Sequence, residues 1–316
     1  MDDRTDLLVR VSEMYYQQGL NQSEIAKILG TSRPTVSRLI DEAKEMGVVE
    51  IIVHSPIRKD PQLSYRLRNE LKLRDAVVVS GTSDPEKALS YCCQSANQFF
   101  GTILTNNVTV GITWGTAMEK LCELISPREY YNVNVVQMVG CLATGDPTMD
   151  GLELAIRISR KLGGTYSNIY APVYVENELV HSYLMQERQI QASLRRARHT
   201  DIILTGIGSL DSATSLQKAG YFTDRDRMFL LGKGAVGHLL ARPIDKDGNE
   251  IIFDNHYVVG APLESMKSAQ WSVGIAVSEE KAEAVIAASR GGYINTMIID
   301  QLLALKVLEL LDKEKR

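Results

Sequence analysis

Residues 21–43 read NQSEIAKILGTSRPTVSRLIDEA and predict two short helices joined by a tight turn. Asn21 is a good N-cap for the first helix, and Glu24 three residues later completes a capping-box pattern. Gly30 is expected to end this helix, because glycine adopts the left-handed conformation without steric cost. The apolar stripe predicted to face the core consists of Ile25, Ala26, Ile28 and Leu29.

The second helix carries small and basic side chains where a DNA major groove would meet them. Thr31 or Ser32 caps this helix, and Pro34 lies in its first turn, where a missing amide donor costs nothing. No acidic residue lies between Lys27 and Arg38 to cancel the positive charges. We therefore interpret the pair as a helix-turn-helix, the alternative being a helical hairpin that binds nothing. The residues predicted to contact DNA are Ser32, Arg33, Pro34, Thr35, Ser37 and Arg38.

A β-branched segment and a charged linker follow this pair. Gly47 ends the helix, and residues 48–53 read as a strand that suits the wing of a winged helix-turn-helix, or else an ordinary sheet strand. Pro56 and Pro61 bracket the linker, where proline disfavours helix. The predicted domains are a DNA-binding domain over residues 1–57 and a second domain over residues 58–316.

Composition excludes several classes of protein. The 316 residues carry a net charge of −4, which argues against a general nucleic-acid coat and fits a DNA reader with a few placed cations. No apolar run approaches the roughly 20 residues of a membrane helix, and the acidic start is no signal peptide. We therefore expect a cytoplasmic protein with no membrane partner. Neither metal nor cofactor is expected, because Cys92, Cys93, Cys122 and Cys141 lack zinc-site spacing.

The second domain alternates helical segments with short, continuously apolar strands. This pattern predicts a buried parallel sheet with helices on both faces, a doubly wound α/β domain. The predicted strands cover residues 76–81, 107–112, 133–140, 201–208, 272–277 and 294–299.

Ligands of open parallel sheets bind outside the carboxyl ends of the strands, at a switch in strand order. Glycine and hydroxyl residues follow three predicted strands, and Thr116 opens a helix whose free amides can hold an anion. Lys281 lies in the first turn of a later helix, where a cation is unfavourable for the helix dipole unless an anion binds there. Taken singly, each feature is typical of a tight turn or a solvated lysine. Together they predict a phosphorylated small molecule held by Gly115, Thr116, Gly140, Gly206, Gly208, Ser209 and Lys281.

The sequence contains no complete nucleotide-binding motif. No G-x-G-x-x-G precedes a suitable acidic residue, so a dinucleotide site is not expected. The segment GKGAVG at residues 232–237 lacks the ending of a Walker motif and reads as a turn.

The chain resembles the SorC family of bacterial sugar-responsive transcriptional regulators over nearly its whole length. The resemblance is carried by the order and spacing of YYQQGLNQSEIAKILGTSRPTVSRLIDEAKEMGVVEI, GITWGTAMEKL, NVVQMVG, DIILTGIGS, AGYF, GAVGHLLARPIDKDGN and SEEKAEAVIAASRGGYINTMIID. Within the family the chain is most similar to the branch that responds to deoxyribonucleoside-type or sugar-phosphate effectors.

The resemblance implies a helix-turn-helix and an effector domain similar to sugar-phosphate isomerases and glucosamine-phosphate deaminases. It also implies a phosphosugar ligand and a homo-oligomer, a tetramer of paired dimers, that binds operator DNA. The family's ligand loops fall on Gly115 and Thr116, on residues 139–141, on residues 206–209 and on Lys281.

This chain departs from the family pattern at three positions. The family usually has a second glycine where Cys141 stands, and often a hydroxyl residue where Ala117 stands. An acidic residue is common where this chain has His238.

The leading hypothesis is a transcriptional regulator of a sugar or nucleoside catabolic operon, controlled by a phosphosugar. The alternative is a sugar-phosphate isomerase or deaminase-like enzyme with an appended helix-turn-helix. Such an enzyme would need an acid–base pair. The available carboxylates are Asp146, Asp150 and Asp254, none of which lies in the glycine loops, and the five histidines form no cluster in the sequence.

Overall fold

The N-terminal unit is a small helical domain built on the predicted hairpin. The computed structural model describes residues 3–49, 57–142, 147–210, 215–218 and 220–315. By its internal contacts the chain divides into two units, Met1–Pro56 and Ile57–Arg316. The helices of the first unit are α1 Asp3–Ser12, a π-helical turn Glu13–Gln17, α2 Gln22–Ile28 and α3 Arg33–Glu45.

The caps that the sequence predicts are present. The side-chain oxygen of Asn21 accepts from the amides of Ser23 (3.0 Å) and Glu24 (3.1 Å), and Glu24 Oε2 accepts from the amide of Asn21 (2.8 Å). Gly30 ends α2 with φ +63°. These contacts satisfy amides that the first turn leaves without intrahelical partners.

The predicted apolar stripe of α2 is wrong at one position. Ile25 and Ala26 are buried, but Ile28 is 53% exposed. Because α2 is only seven residues long, Ile25 and the half-buried Leu29 one turn later take the packing face. Val49 donates its amide to Ala43 O (3.1 Å), and residues 50–53 of the predicted wing lie outside the described residues.

The second unit alternates helices and strands. Its helices are α4 Pro61–Glu70, α5 Pro85–Ile103, α6 Thr116–Leu124, α7 Gly151–Lys161, α8 Glu178–Gln186, α9 Arg188–Arg198, α10 Ser215–Lys218, α11 Asp224–Gly232, α12 Glu264–Ser268, α13 Ala282–Arg290 and α14 Gln301–Glu314, with 3₁₀ turns at Pro147–Met149 and Glu279–Lys281. Its strands are β1 Arg58–Lys59, β2 Asp75–Ser80, β3 Thr109–Ile112, β4 Asn134–Gln137, β5 Thr165–Ser167, β6 Tyr174–Val175, β7 Ile202–Gly206, β8 Gly208–Ser209, β9 Ala235–Leu239, β10 Arg242–Asp245, β11 Tyr257–Val258, β12 Trp271–Ala276 and β13 Thr296–Asp300.

An eight-stranded sheet organises this unit, with strand order β1-β2-β13-β12-β7-β3-β4-β5. All its pairs are parallel except the edge pair β1–β2. Apolar clusters cover both faces, one packed by α13 and α14 and the other by α5, α6 and α7. The prediction of a doubly wound sheet is confirmed.

The strand order contains a switch point. From β3 the chain continues outward through β4 and β5, whereas from the neighbouring β7 it continues in the opposite direction through β12 and β13. The crevice between the carboxyl ends of β3 and β7 is therefore where a ligand is expected.

Two smaller sheets were not predicted. The strands β8, β9 and β10 form one of them, and β6 pairs with β11 in the other. The segment at residues 232–237 contains the predicted turn at Lys233 and Gly234, which joins the end of α11 to β9. Leu240 and Ala241 link β9 to β10 with φ +47° and +63°, in a two-residue hairpin turn that usually requires asparagine or glycine.

Candidate functional site

The outward face of α3 is shaped as the sequence predicts. The amide of Thr35 donates to Ser32 Oγ (3.3 Å), so Ser32 is the N-cap. Val36, Leu39 and Ile40 are buried against α1 and α2. Arg33, Pro34, Thr35 and Arg38 are exposed and Ser37 is half-buried. Neither Arg33 nor Arg38 forms an ion pair within the described ranges, so both side chains are available to phosphates or bases. The assignment of this face to DNA stays a prediction.

The loop after β3 exposes amide donors at the start of α6. Gly115 is the N-cap residue with φ +102°, and no side chain caps the helix. The Gly115 amide donates to Met149 O (3.1 Å). The first-turn amides that follow, beginning with the exposed Thr116, have no intrahelical acceptor and face the switch point, where they suit an anion.

The loop after β7 lies beside this helix start. A β-carbon built on the half-buried Gly206 would lie 3.8 Å from the Ala117 side chain. Gly208 pairs with His238 across β8 and β9, and a β-carbon at position 208 would lie 2.0 Å from His238 Nε2. A side chain at position 208 would therefore displace the imidazole that covers it. Ser209, the next residue, is buried in β8.

Lys281 approaches the same region from a third connection. It ends the 3₁₀ turn Glu279–Lys281, which packs against β8, and it is the N-cap residue of α13 rather than part of its first turn. The side chain is half-buried and forms no ion pair with any residue that the structure describes. Burial lowers the pKa of Lys281, although the carboxylates of Glu280 and Asp300 act in the opposite direction.

Ser278 introduces the turn that carries Lys281. Its φ is +80°, a strained conformation for a residue with a side chain, and its amide donates to Asp300 Oδ1 (3.0 Å). Such strain persists where the surroundings hold it, and here the buried Asp300 at the end of β13 does so.

Gly140 has a different environment from the other predicted ligand residues. Its amide already donates to Val259 O (2.8 Å). A β-carbon there would lie 2.5 Å from Ala171 O and 2.6 Å from Pro172 O. Close backbone packing therefore explains this glycine, whereas Gly115, Thr116, Gly206, Gly208, Ser209 and Lys281 surround the switch point.

Two site residues were not selected from the sequence. The rings of Trp114 and His238 lie 6.1 Å apart with an interplanar angle of 25°. Burial, and secondarily the charge of Lys281, lowers the pKa of His238 to about 4, so the imidazole is neutral near pH 7. The sequence signals were the position of Trp114 directly before Gly115 and the departure from the family pattern at His238. The contact between the two rings depends on tertiary structure.

The carboxylates considered for an enzyme have other partners or lie elsewhere. Asp150 Oδ2 accepts from the amide of Leu142 (2.8 Å) and Oδ1 from that of Leu152 (2.9 Å), so Asp150 caps α7. Asp254 is exposed, and Asp146 lies outside the described residues. The described residues contain no group of three or more His, Cys, Asp or Glu side chains suited to a metal. None of the described helices combines the length and apolar character that a membrane crossing requires.

Comparison with known proteins identifies both units. Residues 55–309 match the family model of a sugar-binding domain, Sugar-bind, and residues 11–56 match that of the MarR family. The full-length sorbitol operon regulator SorC from Klebsiella pneumoniae superposes with a TM-score of 0.73 at 25% identity, over 98% of this chain and 100% of that one. The chain belongs to the SorC family.

Relatives of this SorC-family protein are transcriptional regulators. The deoxyribonucleoside regulator of Bacillus subtilis is 28% identical over 301 residues, covering 95% of this chain and 96% of the relative. The sorbitol operon regulator of Klebsiella pneumoniae is 24% identical over 308 residues, covering 95% and 96%. The chain is thus a DNA-binding, sugar-responsive transcriptional regulator, and the alternative of an enzyme is set aside.

Proposed function

We propose that this SorC-family protein controls an operon for sugar or nucleoside catabolism, and that a phosphorylated sugar sets its affinity for operator DNA. The proposal includes a homo-oligomer, at least a dimer, in the cytoplasm, where bacterial operator DNA lies. The names of its relatives, which refer to a sorbitol operon and to deoxyribonucleosides, support the class of operon.

The observation that supports a phosphate group in the effector is the half-buried Lys281, which has no ion-pair partner among the described residues. A cation taken out of water without a partner is unfavourable, and a neutral sugar would leave it so. A phosphate placed at the switch point would pair with Lys281. It would also accept from the free amides at the start of α6, which begins at Thr116.

The DNA half of the proposal depends on α3. Arg33 and Arg38 are exposed on α3 and form no ion pair with any of the described residues. Half-sites of a palindromic operator lie one DNA turn apart, about 34 Å, so two copies of α3 are needed to read them. The oligomer supplies these copies.

A ligand screen on the full-length protein tests the effector. Thermal unfolding is followed with pentose and hexose phosphates and with the same sugars lacking phosphate. We expect at least one phosphate ester to raise Tm at millimolar concentration, because a ligand that binds only the folded state stabilises it by RT ln(1 + L/Kd), where L is the free ligand concentration. Stabilisation by an unphosphorylated sugar alone would overturn the phosphate assignment.

DNA selected from a random pool by the full-length protein then tests the output. Fluorescence anisotropy on the selected duplex is measured with and without the stabilising ester. A change of fivefold or more in Kd is expected, within the usual range of allosteric coupling. An unchanged Kd at saturating ester would show that the ester does not control DNA binding.

A further inference from the structure

The outward face of α8 carries large apolar side chains that are exposed. Leu179 and Tyr183 are each 68% exposed, and Val180 is 49% exposed. Their spacing places all three on one face of the helix, which we call the α8 stripe. On the opposite face Leu184 and Met185 pack against a buried apolar cluster of the second unit. A helix with apolar residues on opposite faces usually lies between two packed layers, yet none of the residues of α8 is buried.

The exposed charges on α8 and on α9, which packs against it, differ in sign. Glutamates lie at both ends of α8, namely Glu176, Glu178 and Glu187. The helix α9 contains no acidic residue. The four arginines exposed on it are Arg188, Arg195, Arg196 and Arg198. None of these glutamates and arginines forms an ion pair with a residue that the structure describes.

Unpaired charges of both signs favour a second copy of this chain as the partner. In an isologous contact, residue i of one copy meets residue j of the other and j meets i, so one twofold axis pairs the acidic α8 with the basic α9 twice. A partner whose surface had charge of one sign would be repelled by either α8 or α9. The second copy is also the partner that the proposed function already needs, since two copies of α3 read the operator.

The apolar surface extends beyond α8. A cavity of about 180 Å³ borders this helix and is lined by His181, Ile252 and Tyr257, among others. Ile252 is 75% exposed. A stable interface buries about 800 Å² on each partner, whereas a helix of nine residues is only about 14 Å long. The interface therefore requires α9 and the loop of Ile252 in addition to the α8 stripe.

We propose that α8 and α9 form an isologous interface between two copies of this chain. The α8 stripe is covered in this interface, and α8 of each copy faces α9 of the other. This inference rests on the homo-oligomer of the proposed function and names the surface that joins its copies.

Sedimentation velocity of the full-length protein with Leu179→Glu tests the interface. Since α8 has no buried residue, this substitution removes no core contact. The twofold axis introduces the new charge twice, so we expect the Kd of self-association to rise about 100-fold or more. The molar mass at micromolar concentration should fall to half that of the wild type. The matched control is Leu305→Glu, at a leucine of α14 that is 48% exposed, and it should keep the wild-type mass.

Charge reversal tests how the two helices face each other. One variant carries Glu176→Lys and Glu178→Lys, and the other carries Arg195→Glu and Arg196→Glu. Each variant alone opposes like charges across the twofold axis and should have half the wild-type mass. A mixture of the two restores opposite charges on both sides of the axis, so it should return to the wild-type mass. Circular dichroism and Tm show whether each variant is folded.

The outcomes separate this interface from the proposed function. A folded Leu179→Glu protein with the wild-type mass overturns the interface and leaves the oligomer intact, because another surface must then join the copies. A mixture of the charge variants that keeps half the wild-type mass overturns the pairing of α8 with α9. A wild type that is monomeric at micromolar concentration removes the proposed oligomer, and the interface with it.

Discussion

Replacing Lys281 by methionine should weaken effector binding while keeping the fold. The methionine side chain is similar in length and has no charge to bury. A charge-assisted hydrogen bond is worth about 1.5–3 kcal/mol, so the affinity for a phosphate ester should fall roughly 10- to 150-fold. The loss is expected in this range because Lys281 forms no ion pair with any of the described residues that could take the place of the one with the ester.

Titration calorimetry with the ester found by the thermal screen measures this loss. Lys246→Met is the matched control, because Lys246 is an exposed lysine of the same unit and forms no ion pair within the described ranges. The control should bind the ester as the wild type does. Should Lys281→Met bind the ester within twofold of the wild type, the phosphate does not lie at Lys281 and the reasoning is refuted.

The same substitution should stabilise the ligand-free protein. Burial lowers the folded pKa of Lys281 below its usual 10.5, so the unfolded chain binds more protons at alkaline pH. The cost of the buried charge is therefore present at neutral pH and disappears as pH rises from the folded pKa towards 10.5. Lys281→Met lacks this cost, and we expect it to gain about 0.5–2 kcal/mol of unfolding free energy near pH 7. Unchanged or lower stability with intact ester binding would contradict the unpaired-cation argument.

Three further predictions follow from other parts of the molecule. Arg38→Ala should weaken binding to the selected operator about 5- to 150-fold and leave ester binding unchanged. Arg10→Ala, at an exposed position of α1, is the control in the same anisotropy titration. His238 has a folded pKa of about 4 against a usual 6.5, so it should contribute about 3 kcal/mol of stability above pH 6.5 that is lost as pH falls to 4; denaturant titrations of His238→Gln should lack this part of the acid dependence. Gly140→Ala should lower the unfolding free energy by about 1–3 kcal/mol, because its methyl group meets Ala171 O at 2.5 Å, and a neutral result would mean that the loop relaxes.

Local chemistry explains why the helix-turn-helix could be predicted. The cap of Asn21, its reciprocal partner Glu24 and the positive φ of Gly30 depend only on residues within one turn. The same holds for the cap of Ser32 on α3. The exposure of Ile28 could not be predicted in this way, because periodicity places it near the apolar face but does not say where the neighbouring helices end.

The parallel strands were predictable for a related reason. Strands buried on both faces consist of continuous apolar runs, as in β7 and β13. The hairpin of β9 and β10 escaped prediction because its turn uses Leu240 and Ala241, neither of which is a turn signal. Short strands such as β8 have too few residues to show any periodicity.

The positions of glycines alone do not define a ligand site. Gly140 and Gly208 looked alike in the sequence, each following an apolar strand, yet one is closed off by the backbone of residues 171–172 and the other lies under an imidazole. A glycine reports that something approaches its backbone, and only tertiary structure says whether this is a ligand, a carbonyl or a side chain. The buried indole N–H of Trp114 has no acceptor among the described residues, and it is a stronger indication of a ligand than the glycines, because an unpaired buried donor costs free energy.

The positions of these groups in the chain bear on how ligand binding could change the affinity for operator DNA. Trp114, His238 and Lys281 come from three connections of the sheet, before α6, within β9 and before α13. A ligand that contacts all three binds more tightly to whichever arrangement holds these connections at the right separation, and this differential affinity is what shifts a conformational equilibrium.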